Sequence, residues 1–142
     1  MVTERMVESP STVSTPRNRT MKRVRVIVTW LLQILLGPLF VLVGVGKFAQ
    51  WDGWVSRFEM WGYAPWFLGV IAVLEALGGV MVLVPRFAAY GAGLIGAIML
   101  GGAYTHLSTG IGSPMQVAPQ IVVAAAVLAL RWPDRWRGSP KP

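Results

Sequence analysis

Glu75 stands nine residues from each end of the apolar run Trp66–Val84, WFLGVIAVLEALGGVMVLV. An ionised carboxylate at such a depth in a bilayer is costly, so it must face a partner, a cavity or a proton, and proton exchange is the chemistry it offers. Its helical neighbours Ala72, Gly78 and Gly79 are small and leave room for a close helix or a bound group. The alternative is a protonated acid hydrogen-bonded to a backbone carbonyl or to a side chain such as Gln33. Lys47 closes an earlier apolar run, and a lysine at a helix end either bends inward toward Glu75 or snorkels outward, the cheaper default. At 1.5 Å of rise per residue Glu75 lies roughly 13 Å from the boundary, whereas Lys47 and His106 lie within about one turn of it, so depth alone does not pair them. Gln33, Phe40, Gly44 and Lys47 nevertheless fall near one helical face. His106 shares a face with Gly102, Ala103 and Met99, beside Tyr104, and either binds a polar headgroup or sits in the interface. Gln116 and Gln120 are one turn apart and add hydrogen-bonding capacity. The candidate site is therefore Glu75 for proton exchange, with Lys47, Tyr104, His106 and Gln120 as ligand-binding groups.

Other chemistries are excluded by composition. The chain has no cysteine, which removes thiolate catalysis, disulfide exchange and cysteine-ligated zinc or iron–sulfur centres. One histidine cannot supply a bis-histidine haem or a multi-histidine copper site, so no metal and no intrinsic cofactor is expected. The formal charge of +7 does not point to nucleic acid, because the basic residues flank apolar runs rather than sharing a face; a lipid surface explains them better.

The elements that must position these groups are membrane helices. With 54% hydrophobic and 13% charged residues the chain departs from the soluble balance of about 25% charged. Apolar runs at 26–46, 66–84, 87–107 and 115–132 predict an all-α fold, a four-helix transmembrane bundle within 24–132. The run at 26–46 follows KRVR like a signal peptide but is too long for one, and Pro38 should kink it. The last run is interrupted early by Pro119 and Gln120. Residues 1–23 read as a disordered basic tail and 133–142 as a second basic tail, with Met1, Met6 and Met21 as alternative starts. Eleven of the Lys and Arg residues gather on the side of the termini and only Lys47 and Arg57 on the other. That asymmetry places both termini in the cytoplasm, for a multi-pass protein of the plasma membrane.

Between the first two runs, KFAQWDGWVSRFEMWGYAP gathers Trp51, Trp54, Val55, Phe58 and Trp61 on one helical face and Asp52, Ser56, Arg57 and Glu59 on the other. This is an amphipathic interfacial helix, read either as an anchor fixing tilt or as a lid over the bundle. Ala89, Gly93, Ala97 and Gly101 at four-residue spacing, with Gly78 and Gly79, form a small-residue signal for close helix packing, within the chain or in a homo-oligomer.

The order and spacing of Gly44-x-x-Lys47-Phe48, Gly62-Tyr63-x-Pro65, Leu74-Glu75-x-x-Gly78-Gly79, Pro85-Arg86 and Thr105-His106-Leu107 resemble the DoxX-like family of small four-helix membrane proteins, from about Val24 to Arg131. That resemblance implies association with quinone-linked or oxidative-stress membrane complexes, while many members carry no assigned activity. The expectation is an accessory or quinone-interacting subunit of a membrane redox complex, with Glu75 exchanging a proton with a quinol head, His106 or Tyr104 bonding its carbonyl, and electron carriers in partner subunits. There is no self-contained catalytic constellation. The alternative is a non-catalytic membrane anchor for soluble oxidative-stress or envelope enzymes. A small transporter is a weaker reading, because four spans without an internal repeat leave little room for a gated pathway.

Overall fold

The computed structural model describes residues 16–132, which are all helical or in short connections. The helices are α1 (Pro16–Ala49), α2 (Trp51–Met60), α3 (Pro65–Leu83), α4 (Ala88–Thr109) and α5 (Ala118–Arg131), with one 3-10 turn at Pro114–Gln116. α1, α3 and α4 contain segments long and apolar enough to cross a membrane. α5 has 14 residues, which at 1.5 Å per residue is about 21 Å. It is shorter than the run 115–132 implied, because the 3-10 turn and the proline at position 119 delay the start of regular helix. The helix carrying the run 26–46 also begins earlier than expected, at Pro16 inside the stretch 1–23 read as a tail. A proline in the first turn has a preset φ and lacks only an N–H that would be unpaired there, and Arg, Met and Lys then propagate the helix. The rest of that tail, and the C-terminal tail with Arg135, Arg137 and Lys141, lie outside the described residues.

The core is apolar, as in a water-soluble protein, but so is much of the surface. Leu36, Phe40, Val82, Ala92, Ile95, Met99, Ala124 and Val127 form the packed centre, while Val26, Ile27, Leu31, Ile34, Leu35 and Leu42 on α1 are exposed. An exposed apolar belt is the surface a bilayer requires; within lipid, helices associate through close packing and hydrogen bonds rather than through the hydrophobic effect.

Close packing fixes the register of α1 on α3. A Cβ at Gly44 would stand 2.5 Å from the Ala72 carbonyl oxygen, and one at Gly79 would stand 2.6 Å from the Gly37 carbonyl oxygen. Two backbones therefore touch at two levels two turns apart, which leaves no freedom to slide. α3 turns into α4 through Pro85–Arg86, and the pair closes where a Cβ at Gly91 would meet the Gly78 carbonyl oxygen at 2.7 Å. Within the chain, the four-residue row Ala89, Gly93, Ala97, Gly101 is not a continuous packing face. Ala89 is buried, but Gly93 and Gly101 have nothing within 4 Å of a Cβ position. At 100° per residue a four-residue step drifts about 40°, so the row winds out of the interface, and the face that stays buried runs through Ala88, Gly91, Ala92, Ile95 and Met99.

A polar clamp ties α1, α3 and α5 at the Arg131 end. The Gln33 amide is fully buried; its Nε2 donates to the Val82 carbonyl at 2.5 Å and its Oε1 accepts from Arg131 Nε at 3.0 Å and from Arg131 Nη2. Arg25 donates to the carbonyl of Leu130, in the last turn of α5. Arg131 also lies over the Trp30 ring, 5.7 Å from its centroid.

Candidate functional site

At the opposite end of the molecule, Lys47 on α1 bonds Oε2 of Glu75 on α3, with side chains 6% and 2% exposed. Of the two readings of Lys47, inward toward Glu75 or outward by snorkelling, the inward one holds, and the register explains why. Gly44 sits level with the middle of Ala72–Ala76, so Lys47, one turn further along, is only about 6 Å off the level of Glu75, within reach of its stem. The depth estimate from sequence assumed that both helices begin in one plane, whereas α3 starts beyond the end of α1. Gln33 is not the partner of Glu75, since its amide is engaged in the clamp.

The pair borders a cavity of about 840 Å³. Phe40, Val43 and Lys47 of α1 form one wall; Ile71, Leu74 and Glu75 of α3, with Ile98, Gly102 and His106 of α4, form others; Val117, just before α5, and Gln120 of α5 complete it. α2 supplies aromatic cover through Trp54, Phe58 and Trp61. Its two faces are those read from sequence: Trp51, Trp54, Val55 and Trp61 are half-buried and Phe58 buried, against exposed Asp52, Ser56, Arg57 and Glu59. Trp54 is contacted by two cations, with Lys47 Nζ 5.1 Å and Arg57 Cζ 4.9 Å from its centroid. This cation–π contact adds to the carboxylate in holding Lys47 inside.

His106 lines the cavity. Its Nδ1 lies 2.7 Å from the Ile111 carbonyl oxygen, and because a carbonyl only accepts, Nδ1 carries a hydrogen, which in the neutral ring makes Nε2 the acceptor. The loop can approach this closely only through Gly112, where φ is +82° and a Cβ would be 2.7 Å from Nδ1. The ring meets Trp61 edge-on at 5.3 Å, and the Trp61 indole nitrogen is buried without a hydrogen-bond partner among the described residues. Gln120 lines the cavity, and its amide nitrogen lies within hydrogen-bond reach of the Gln116 and Val117 carbonyls.

Of the residues singled out from sequence, Glu75, Lys47, His106 and Gln120 thus converge on one cavity. Tyr104 does not: its side chain is 69% exposed and it takes no part in the lining. It is two residues from both Gly102 and His106, hence about 200° from each around the helix. Sequence reasoning missed Tyr63 and Thr105, whose hydroxyls are 2.8 Å apart and tie the start of α3 to α4 beside the cavity. The Gly-Tyr-x-Pro motif was a signal, but nothing in the sequence names its partner.

A helical chain with three membrane-length apolar helices is an integral membrane protein. It belongs to the DoxX-like family, whose model matches residues 31–130. No curated protein and no solved structure shows significant similarity to it.

Proposed function

We propose that the chain is a four-span membrane subunit whose cavity binds a quinone-type headgroup and which serves, without redox centres of its own, as an accessory subunit to a membrane redox complex. α5 is the short fourth span, α2 lies on the outer leaflet, and the basic flanks hold both termini in the cytoplasm. The observation that carries the reading is the buried Lys47–Glu75 pair at the wall of an otherwise largely apolar, aromatic-covered cavity. Such a cavity, apolar with a few convergent polar groups, is the usual form of a small-molecule site.

The residues fit a quinone head on three counts. The Lys47 ammonium is a donor for a ring oxygen, Glu75 is a carboxylate able to hold a proton, and His106 Nε2 is an acceptor for a ring hydroxyl. The Trp61 N–H, buried without an acceptor, is a further donor whose desolvation a ligand oxygen would offset. A quinone supplies two-electron, two-proton chemistry when bound; the electrons belong to a redox centre in a partner subunit. Lys47 and Glu75 bind and exchange the proton, while α2 excludes water over them.

The test uses purified protein in lipid nanodiscs, titrated with a decyl-benzoquinone while quenching of the tryptophan fluorescence, to which Trp54 and Trp61 at the cavity contribute, is followed. Single replacements of the pair leave a buried charge, so the informative variant is Lys47→Met with Glu75→Leu. It should fold and bind at least about tenfold more weakly, a loss of one polar anchor. Unchanged affinity would remove the pair from the site and favour the anchoring role for soluble envelope enzymes instead.

A further inference from the structure

The facing surfaces of α1 and α5 change character along their length. Leu32, Leu36, Leu39 and Val43 lie within about 60° of one another around α1, a single stripe. Leu36 is 1% exposed, whereas Leu39 is 41% and Val43 36% exposed, and both of these also line the cavity. α5 and the residue before it show the same gradient in the opposite chain direction: Val127 and Ala124 are buried, while Gln120 and the N-cap residue Val117 are half-buried and line the cavity. Hydrogen bonds join these helices at the Arg131 end, from Arg131 Nε and Nη2 to Gln33 and from Arg25 to the Leu130 carbonyl. The helices are thus clamped at one end, and at the other the residues that continue each facing stripe are more exposed and line the cavity. The end of the cavity is covered by Trp54, Phe58 and Trp61, and the Tyr63–Thr105 bond ties α3 to α4.

We infer that the cavity has a lateral portal between α1 and α5 at the Lys47 end, through which an amphiphile dissolved in the membrane enters head first, leaving its hydrocarbon tail between Leu39, Val43 and Val117. Cavities for drug-sized ligands run to about 300–1,000 Å³, so 840 Å³ is more than one ring fills. The polar groups sit at the depth of Lys47, Glu75 and His106, while the portal side is apolar at Leu39, Val43 and Val117; the ligand that matches has one polar end and one aliphatic end. This inference rests on the quinone reading for the identity of the head but not for the route of entry.

The absence of cysteine makes the test clean, because an introduced pair is unique. Val43→Cys with Val117→Cys, bridged by a reducible bis-methanethiosulfonate reagent in nanodiscs, spans the portal. Two probes are used: decyl-benzoquinone for association rate, and a diazirine-bearing alkyl chain whose insertion sites are mapped by mass spectrometry. Bridging should slow quinone association at least about tenfold, as gating of access acts on the on-rate. It should also abolish alkyl labelling of Leu74 and Ile98, and reduction of the bridge should restore both, which rules out misfolding. Alkyl labelling that disappears on bridging while no quinone binds would overturn the quinone head and uphold the portal. Association and labelling unaffected by the bridge would overturn the portal.

Discussion

Lys47 and Glu75, 28 residues apart in sequence, form an ion pair closed off from solvent on both sides. The pair exists because Gly44 lets α1 touch the α3 backbone one turn away. Taking two charges out of water is costly, and their mutual attraction offsets that cost only while both are present.

Removing one member should therefore be worse than removing both. Lys47→Met or Glu75→Leu alone is expected to cost about 3–5 kcal/mol, and the double replacement to recover most of it. Thermal unfolding of the three variants in one detergent reads this directly. A double variant no more stable than either single one would show that the pair does not set the cost.

The glycines of the α1–α3 contact should be intolerant, whereas those of the outward-winding row should not. Gly44→Ala places a Cβ 2.5 Å from the Ala72 carbonyl oxygen and should push the helices apart, lowering the melting temperature and the yield of monodisperse protein. Gly93→Ala meets nothing and should stabilise by about 0.5–1 kcal/mol through helix propensity. Equal effects at the two positions would contradict the assigned packing faces.

Gly112 holds the tautomer of His106. Gly112→Ala strains a φ of +82° and collides with the ring, so it should release Nδ1 from the Ile111 carbonyl. Nitrogen NMR of labelled histidine should show Nδ1–H in the parent and a tautomer mixture in the variant. A mixture already present in the parent would argue against the bond.

The clamp at the Arg131 end should be worth a charged hydrogen bond. Arg131→Met leaves Gln33 Oε1 buried without that donor, at about 1–3 kcal/mol. Gln33→Leu with Arg131→Met should be milder than Arg131→Met alone, which equilibrium unfolding of both proteins would reveal.

Tyr104 supplies the negative control. Its ring is exposed on the far side of α4 from the cavity, so Tyr104→Phe should leave affinity for the proposed quinone unchanged within error. A tenfold loss would place it in the site despite the geometry, since one hydrogen bond is worth about that much.

Much of this was legible beforehand for local reasons. Apolar runs of membrane length, the aromatic face of α2 and the isolated acid at Glu75 are properties of contiguous residues, and a helix has one rise and one twist. The basic asymmetry of the flanks is equally local. Composition and period therefore suffice for element type, for the two faces of α2 and for the oddity of Glu75.

What the tertiary structure alone decided is who meets whom. Lys47 reaches Glu75 rather than water because the axial offset of α1 on α3 depends on where two backbones can touch. Gln33 serves Val82 and Arg131 rather than Glu75 for the same reason. The fate of the four-residue glycine row depended on the angle at which α4 presents itself, and Tyr104 was lost to the site by about 200° of rotation. Offsets and rotations between helices are relations between distant segments, set by side-chain and backbone fit, and no periodicity within one segment encodes them.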